Sequence, residues 1–194
     1  SLDFDLPEAR VVLSPEGKPT DIQKVVRLES HRLIEDFMLL ANETIAGASA
    51  KRRIPLIYRI HEKPDADRLE TLKEFVETFG YRLGSRKSLT PKGLQDLLRA
   101  VHGKPEESLI STVLLRSMKR ARYSEENLGH FGLAARHYTH FTSPIRRYPD
   151  LVTHRMSLMA FVDREPVGDS PTAHNLAEIA KLSSEREQIA VEAE

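Results

Sequence analysis

The 194-residue chain is long enough for one large domain or two small ones. Its 40% hydrophobic and 30% charged residues are ordinary for a globular protein, and the absence of cysteine excludes disulfides and thiolate metal sites. The 29 basic and 29 acidic residues give zero formal net charge, so nucleic-acid contacts would need a local arrangement of charges. The sequence contains neither a secretory signal nor an apolar run of membrane-spanning length. We therefore expect a cytoplasmic protein without membrane contact.

The first third of the sequence predicts a hairpin, a helix and a strand. The β-rich runs ARVVL and TDIQKVV flank the turn sequence SPEGKP, which is typical of a β-hairpin. From about Leu28 to Ala48 apolar residues recur at helical spacing, which predicts a helix with one face in the core, and Gly47 indicates where it frays. IPLIYRIHEKP predicts a short buried strand ended by Pro64.

Three helices are predicted next. The first runs from about Asp65 to Phe79 and ends at Gly80. The second begins at Thr90–Pro91, with the hydroxyl as cap and the proline in the first helical position. The third runs from Glu106 to about Arg120. Their expected inner-face residues are Leu69, Leu72, Phe75, Val76, Phe79, Leu94, Leu97, Leu98, Val101, Leu109, Val113, Leu114 and Met118.

The last third begins with a stretch, residues 123–141, that is poor in helix signals. Ser143–Pro144 predicts the start of a helix that runs past Arg155. A polar loop, DREPVGDSP, precedes a predicted final helix from about Thr172 to Glu194. Without internal repeats, the whole pattern predicts an α+β fold, rich in helices, with a β-hairpin and short strands in one continuous unit.

The segment with the most candidate functional side chains is HYTHFTSPIRRYPDLVTHR, residues 137–155. Thr142 and Ser143 supply hydroxyls, and the free N–H groups of a helix start there would attract an anion. Arg146 and Arg147 lie in the same turn, and an arginine can grip two phosphate oxygens at once. These residues favour a phosphate-contacting helix start.

A structural interpretation of the same segment stays open. Ser-Pro helix starts are common, and the arginines could pair with Asp150 and neighbouring carboxylates. Pro149 removes one backbone donor, which predicts a kink or a tightened turn. Tyr138 and Phe141 could stack on bases, although the core of a short strand is the favoured place for them.

THFTSPIRRYPDLVTHR closely resembles the signature of the RNB domain, the catalytic domain of the ribonuclease II and ribonuclease R family. Further stretches resemble ribonuclease R in order and spacing: HRLIEDFMLLAN, YRIHEKPDADRLETLKEFVETFGY, LLRSMKRARYS, HFGLA and SSEREQIAVEAE. The resemblance covers nearly the whole chain, and such a long string is far more specific than a short motif.

The resemblance implies a 3′-to-5′ exoribonuclease that hydrolyses RNA processively to nucleoside 5′-monophosphates. It also implies magnesium held by clustered aspartates, which in the family lie upstream of the segment that matches this sequence. No Asp-x-Asp-Asp run occurs here, and Asp3 and Asp5 fall after that cluster, where alternating acids are more typical of a solvated strand face. We therefore expect residues 1–194 to form the downstream part of an RNB catalytic domain, monomeric and inactive without the upstream part.

Three positions match functional residues of the family. Arg146 matches the arginine that supports phosphodiester cleavage, and Glu35 an acidic residue that contacts the ribose near the 3′ end. Phe4 matches an aromatic residue that stacks on the terminal base, across a one-residue gap in the alignment. Thr142, Ser143 and Arg147 are further predicted contacts to single-stranded RNA.

Geometry and charge bear on these assignments. His31, Glu35 and Asn42 share one helical strip, which could equally be the solvated edge of an amphipathic helix. If the family roles hold, Phe4, Glu35 and Arg146 converge on one groove. The alternatives are an RNA-binding module without activity, which the missing aspartates favour, and a helical interaction module, which the zero net charge favours.

Overall fold

The computed structural model of the chain describes residues 9–24, 28–84 and 90–193, and it is α+β with helices dominating, as predicted. Strands β1 (Ala9–Leu13) and β2 (Pro19–Lys24) form one antiparallel pair, and β3 (Tyr58–Ile60) and β4 (Arg122–Ser124) form another. The helices are α1 (Glu29–Arg52), α2 (Ala66–Glu77), α3 (Pro91–Val101), α4 (Glu107–Ser117), α5 (Tyr148–Ser157), α6 (Pro171–His174) and α7 (Leu176–Ala193). A π-helical turn, Leu158–Asp163, continues α5, and a 3-10 turn, Val167–Asp169, precedes α6. Within the described ranges no helix is long and apolar enough to cross a membrane.

The hairpin prediction is confirmed, whereas α1 differs from its prediction in two ways. The helix continues through Gly47 to Arg52, because the burial of Ala46 and Ser49 holds this part of α1 against the core. The predicted apolar face is only partly buried, at Met38, Ala41 and Ile45. In the first half Leu33 and Phe37 are 56% and 60% exposed.

Helices α2, α3 and α4 enclose a hydrophobic core of their own, which we call the three-helix core. The predicted Thr90 cap is present, since its side-chain oxygen accepts a hydrogen bond from the Gly93 N–H at 3.2 Å. The predicted inner residues of α3 are all buried, and burying each leucine contributes roughly 1.5–3 kcal/mol. Two predictions are wrong here: Phe79 and Leu109 are 40% and 50% exposed.

The second core, which we call the central core, joins segments that are distant in sequence. It contains apolar residues of the second half of α1, of β3 and β4, and of α5 and α7. Tyr58 lies opposite Ser124 in the β3–β4 pair, and the Tyr123 N–H donates to the Ser184 hydroxyl of α7 at 2.9 Å. This pairing places the stretch after β4 beside α1 and α5, where the candidate site is built.

Two boundaries in the last third differ from the predictions. Ser143–Pro144 starts only a turn, and α5 begins at Tyr148 with Pro149 in its first turn. A proline in the first turn removes an N–H that has no intrahelical partner, so it gives no reason for a kink. The predicted final helix is two helices, since α6 ends at His174 and α7 begins at Leu176.

Candidate functional site

The site is built on an extended segment, residues 138–141, that crosses the central core. The Arg59 N–H of β3 donates to the Tyr138 carbonyl at 2.9 Å. The Thr139 hydroxyl, fully buried, donates to the Ile57 carbonyl at 2.6 Å. Tyr138 is 6% exposed, so its predicted place in the core is confirmed, whereas residues 138–141 do not form the expected strand. These bonds fix the backbone that leads into the arginine pair.

Asn42 of α1 fastens this segment from the other side. Its amide donates to the Tyr138 hydroxyl at 3.0 Å, and its carbonyl oxygen accepts from the Phe141 N–H at 2.9 Å. Glu35 is half-buried on the same helical strip, seven residues earlier and about 10 Å away along the axis. The strip therefore runs toward the site, while Phe4 lies outside the described residues, so convergence of the three predicted contacts stays a prediction.

Phe141 is fixed by α5 rather than presented to solvent. Its ring stacks on the His154 ring with centroids 3.9 Å apart and planes 2° from parallel. The His154 Nε2 lies 2.8 Å from the Phe141 carbonyl, to which it donates when that nitrogen carries the proton. Both contacts tie the segment to α5 just before the turn that holds the arginines.

Asp150 braces that turn from inside the fold. Its carboxylate is fully buried, and Oδ1 accepts from the Ser143 N–H and from Arg147 Nη2, each at 2.8 Å. The Arg147 side chain is only 19% exposed. The Arg147 guanidinium thus pairs with Asp150, the carboxylate that the structural interpretation named.

Three buried polar atoms beside this brace have no hydrogen-bond partner within the described part of the chain: Thr142 Oγ1, Arg147 Nε and Asp150 Oδ2. The Thr142 hydroxyl therefore faces the protein interior. Its predicted contact with RNA, like those of Ser143 and Arg147, stays a prediction.

Arg146 is placed differently from its neighbour. It is exposed, follows a fully exposed Ile145, and forms neither an ion pair nor a side-chain hydrogen bond with any residue of the described ranges. Its backbone N–H is bonded to the Ser143 carbonyl at 3.3 Å, within the turn that Asp150 braces. The structure thus presents one guanidinium to solvent from an anchored backbone.

Two histidines behind the turn, His140 and His130, are uncharged at neutral pH. Burial lowers the pKa of His140 to about 3, and the nearby charges of Arg147, Arg59 and Arg146 act in the same direction. Burial also lowers the pKa of His130 to about 4, assisted by His61 and Arg59. Arg146 and Arg147, in contrast, stay charged at any working pH.

The described residues do not fit a magnesium site. A hard cation needs several converging oxygen ligands. Among residues 9–24, 28–84 and 90–193 no group of three or more His, Cys, Asp or Glu is arranged to hold a metal ion. Asp3 and Asp5 lie outside these ranges.

Comparison with known proteins then decides the family. The RNB domain matches residues 1–162. The chain belongs to the RNB-domain family. This RNB-domain chain is 47% identical, over its whole length, to ribonuclease R 1 of Lactococcus lactis, of which it covers 24%. It spans about a quarter of the length of the curated relatives that match over the whole chain.

Solved structures agree with this RNB-domain assignment. Ribonuclease R of Mycoplasma genitalium in complex with ribose-methylated single-stranded RNA matches with a TM-score of 0.90 and 30% identity, over 96% of this chain and 30% of the other. Yeast Ssd1, a pseudonuclease, matches with a TM-score of 0.70 and 25% identity, over 81% of this chain and 20% of the other. The fold is therefore similar to that of a ribonuclease and to that of a pseudonuclease.

Two residues of this RNB-domain chain have structural roles that the sequence analysis did not assign. Asp150 was considered only as an ion-pair partner, although its position three residues after Arg147 signals a shared helix face. His61 was not considered, yet its two ring nitrogens join separate loops: Nδ1 accepts from the Gly132 N–H and Nε2 faces the Lys119 carbonyl. A histidine directly after a buried strand is a weak signal by itself.

Proposed function

We propose that this chain is the downstream part of the catalytic domain of a metal-dependent 3′-to-5′ exoribonuclease, cytoplasmic and monomeric, that hydrolyses RNA processively to nucleoside 5′-monophosphates. In this proposal Arg146 contacts the scissile phosphate, and Phe4, Glu35, Thr142, Ser143 and Arg147 contact the 3′ end of single-stranded RNA. The observation that carries it is the exposed guanidinium of Arg146, which pairs with no described residue and lies on a turn that Asp150 holds from inside.

The chemistry of cleavage explains why such an arginine is useful. Negative charge grows on the attacked phosphate, so a donor held in place beforehand stabilises the transition state more than the ground state. The guanidinium is planar and can bond two phosphate oxygens together. Asp150 holds the backbone of the turn that carries Arg146, so the entropy cost of ordering that backbone when RNA binds is small.

The division of work between the two arginines follows from their partners. Arg147 is neutralised by Asp150, whereas the described residues offer Arg146 no carboxylate. The uncharged histidines His130 and His140 add no competing charge at neutral pH. Among the described residues of this turn, a phosphate thus meets one arginine, Arg146, that has no carboxylate partner.

Magnesium in the complete protein would supply metal-assisted hydrolysis, with its ligands among residues other than those described here. The chain's own residues hold the RNA end and the phosphate. We therefore propose that the 194-residue chain alone does not hydrolyse RNA.

The test compares Arg146→Ala and Arg146→Lys in the full-length protein, with Arg155→Ala as matched control because Arg155 is exposed on α5. Loss of one such donor typically lowers turnover on the order of 10²–10³-fold. We expect that loss for both Arg146 variants, since lysine keeps the charge but not the two-pronged grip. RNA affinity changes much less, because many other phosphate contacts remain.

Single-turnover cleavage and RNA affinity are measured side by side for the three variants. If Arg146→Ala lowers both by the same modest factor, Arg146 is a binding residue and the catalytic role is wrong. If Arg155→Ala lowers cleavage as much as Arg146→Ala does, the loss of cleavage reflects the loss of a positive charge in general and not a specific role of Arg146.

A second candidate is an RNA-binding module without hydrolytic activity. The likeness to a pseudonuclease favours it, as does the lack of a candidate metal group within the described ranges. The same preparation of full-length protein separates the two. Nucleotide release from labelled RNA with magnesium supports the enzyme, and tight RNA binding without release supports the module.

A further inference from the structure

A cleft of about 1020 Å³ opens between the three-helix core and the loops of the central core. Its walls are the start of α2, the end of α4 with the residues after it, and the turn around Gly132. This volume is at the upper end of the roughly 300–1,000 Å³ that is typical of ligand sites. It involves none of the residues assigned above to the RNA 3′ end.

The described lining of the cleft has more basic than acidic side chains. Each acidic side chain that lines it has its own cation: Asp65 pairs with Lys119 at 2.8 Å, and Glu62 with Arg122 at 3.6 Å. Three exposed arginines of the lining then have no ion pair or hydrogen bond from their side chains to any described residue: Arg68, Arg116 and Arg120. In a chain of zero formal net charge, this is a local concentration of guanidinium groups that no described carboxylate pairs with directly.

The wall behind these arginines is fixed by His61. Its Nδ1 accepts from the Gly132 N–H at 2.8 Å, so Nε2 carries the proton and donates to the Lys119 carbonyl at 2.7 Å. A side chain at Gly132 would not fit, because a Cβ there would lie 2.8 Å from that Nδ1. The two sides of the cleft are thus joined through one ring and keep their spacing.

Apolar surface lies next to the free charges. Leu115 is 45% exposed at the cleft, and Met118 and Leu133 also line it. Single-stranded nucleic acid can bind both surfaces at once, because its phosphates bind arginines and its base faces pack on apolar groups. An acidic peptide would use the arginines but not the apolar floor.

We propose that this cleft is a second contact for single-stranded RNA, with Arg68, Arg116 and Arg120 on phosphates and Leu115 against a base. The proposal rests on the proposed function only in taking RNA as the ligand. The cleft would hold a part of the strand other than the reacting 3′ end, and it takes no part in cleavage.

The test replaces the three arginines together by alanine in the full-length protein. Affinity for a labelled single-stranded RNA is measured by fluorescence anisotropy across a salt series, with EDTA to prevent cleavage. A single strand contributes a salt slope of roughly 0.7 per phosphate contact, so three lost contacts reduce the slope by about 2. The control variant replaces Lys51, Lys92 and Lys181 by alanine. These lysines are exposed outside the cleft, and their replacement removes the same amount of positive charge.

The result expected is a reduced slope for the cleft variant and a much smaller change for the control. Equal changes in both variants would overturn the proposal, since they would reflect net charge alone. An unchanged slope, with lost binding of a glutamate-rich peptide, would assign the cleft to an acidic partner and also overturn it. Failure of the proposed function looks different: wild-type protein then releases no nucleotides with magnesium, whatever the salt slopes are.

Discussion

Replacing Arg147 by alanine is expected to destabilise the fold through a carboxylate that it leaves behind. Asp150 is fully buried, and its Oδ1 would keep only the Ser143 N–H as a partner among the described residues. Removing one partner of a buried pair costs about 3–5 kcal/mol. For a chain of this length each kcal/mol lowers the melting temperature by roughly 2–4 °C, so we expect a decrease of about 6–20 °C.

The assay is thermal unfolding of the 194-residue chain followed by circular dichroism. Adding Asp150→Asn to Arg147→Ala should restore much of the loss, because asparagine is uncharged and its amide oxygen can still accept from Ser143. Arg155→Ala, an exposed change in the same helix, should stay within about 0.5 kcal/mol of wild type. An unchanged melting temperature for Arg147→Ala, or no recovery in the double variant, would refute the buried brace.

The same variant bears on function in the full-length protein. We expect Arg147→Ala to lower single-turnover cleavage less than Arg146→Ala, because its guanidinium faces Asp150 rather than solvent. If Arg147→Ala instead abolished cleavage while its melting temperature stayed at the wild-type value, the catalytic role assigned to Arg146 would belong to Arg147.

Three further outcomes are expected. Burial lowers the pKa of His140 to about 3 in the folded state, whereas in the unfolded chain it is near 6.5, so the free energy of unfolding decreases as pH falls below 6.5. His140→Gln removes this proton uptake, so its melting temperature should depend less on pH between 7 and 4.5 than that of the wild type. His174→Gln, a change at an exposed histidine, is the control and should keep the wild-type pH dependence. Asn42→Ala leaves the Tyr138 hydroxyl and the Phe141 N–H without their partner and should cost about 1–3 kcal/mol in urea unfolding. The chain alone should neither bind Mg²⁺ tightly in calorimetry nor release nucleotides from labelled RNA, and release that persists through further purification would contradict this.

The sequence by itself determined the elements whose signals are local. The Thr90–Pro91 cap and the buried leucines of α3 needed no information beyond their own window, nor did the hairpin around its Pro/Gly turn. The RNB family was equally readable, because the signature around Arg146 is a contiguous string. Such features follow from backbone geometry and side-chain spacing along one segment.

Only the tertiary structure decided which predicted features the fold uses. Ser143–Pro144 has the composition of a helix start, yet the Ser143 N–H bonds to Asp150 from the following helix, and α5 begins at Tyr148. Gly47 has the composition of a helix end, yet burial of its neighbours continues α1 to Arg52. Arg146 and Arg147 are the same residue type in adjacent positions, and the sequence does not distinguish them. In the fold, Arg147 pairs with the buried Asp150 carboxylate, whereas Arg146 is exposed. Burial and ion pairing depend on residues that the fold brings together from distant segments, so the spacing of residues within one segment cannot predict them.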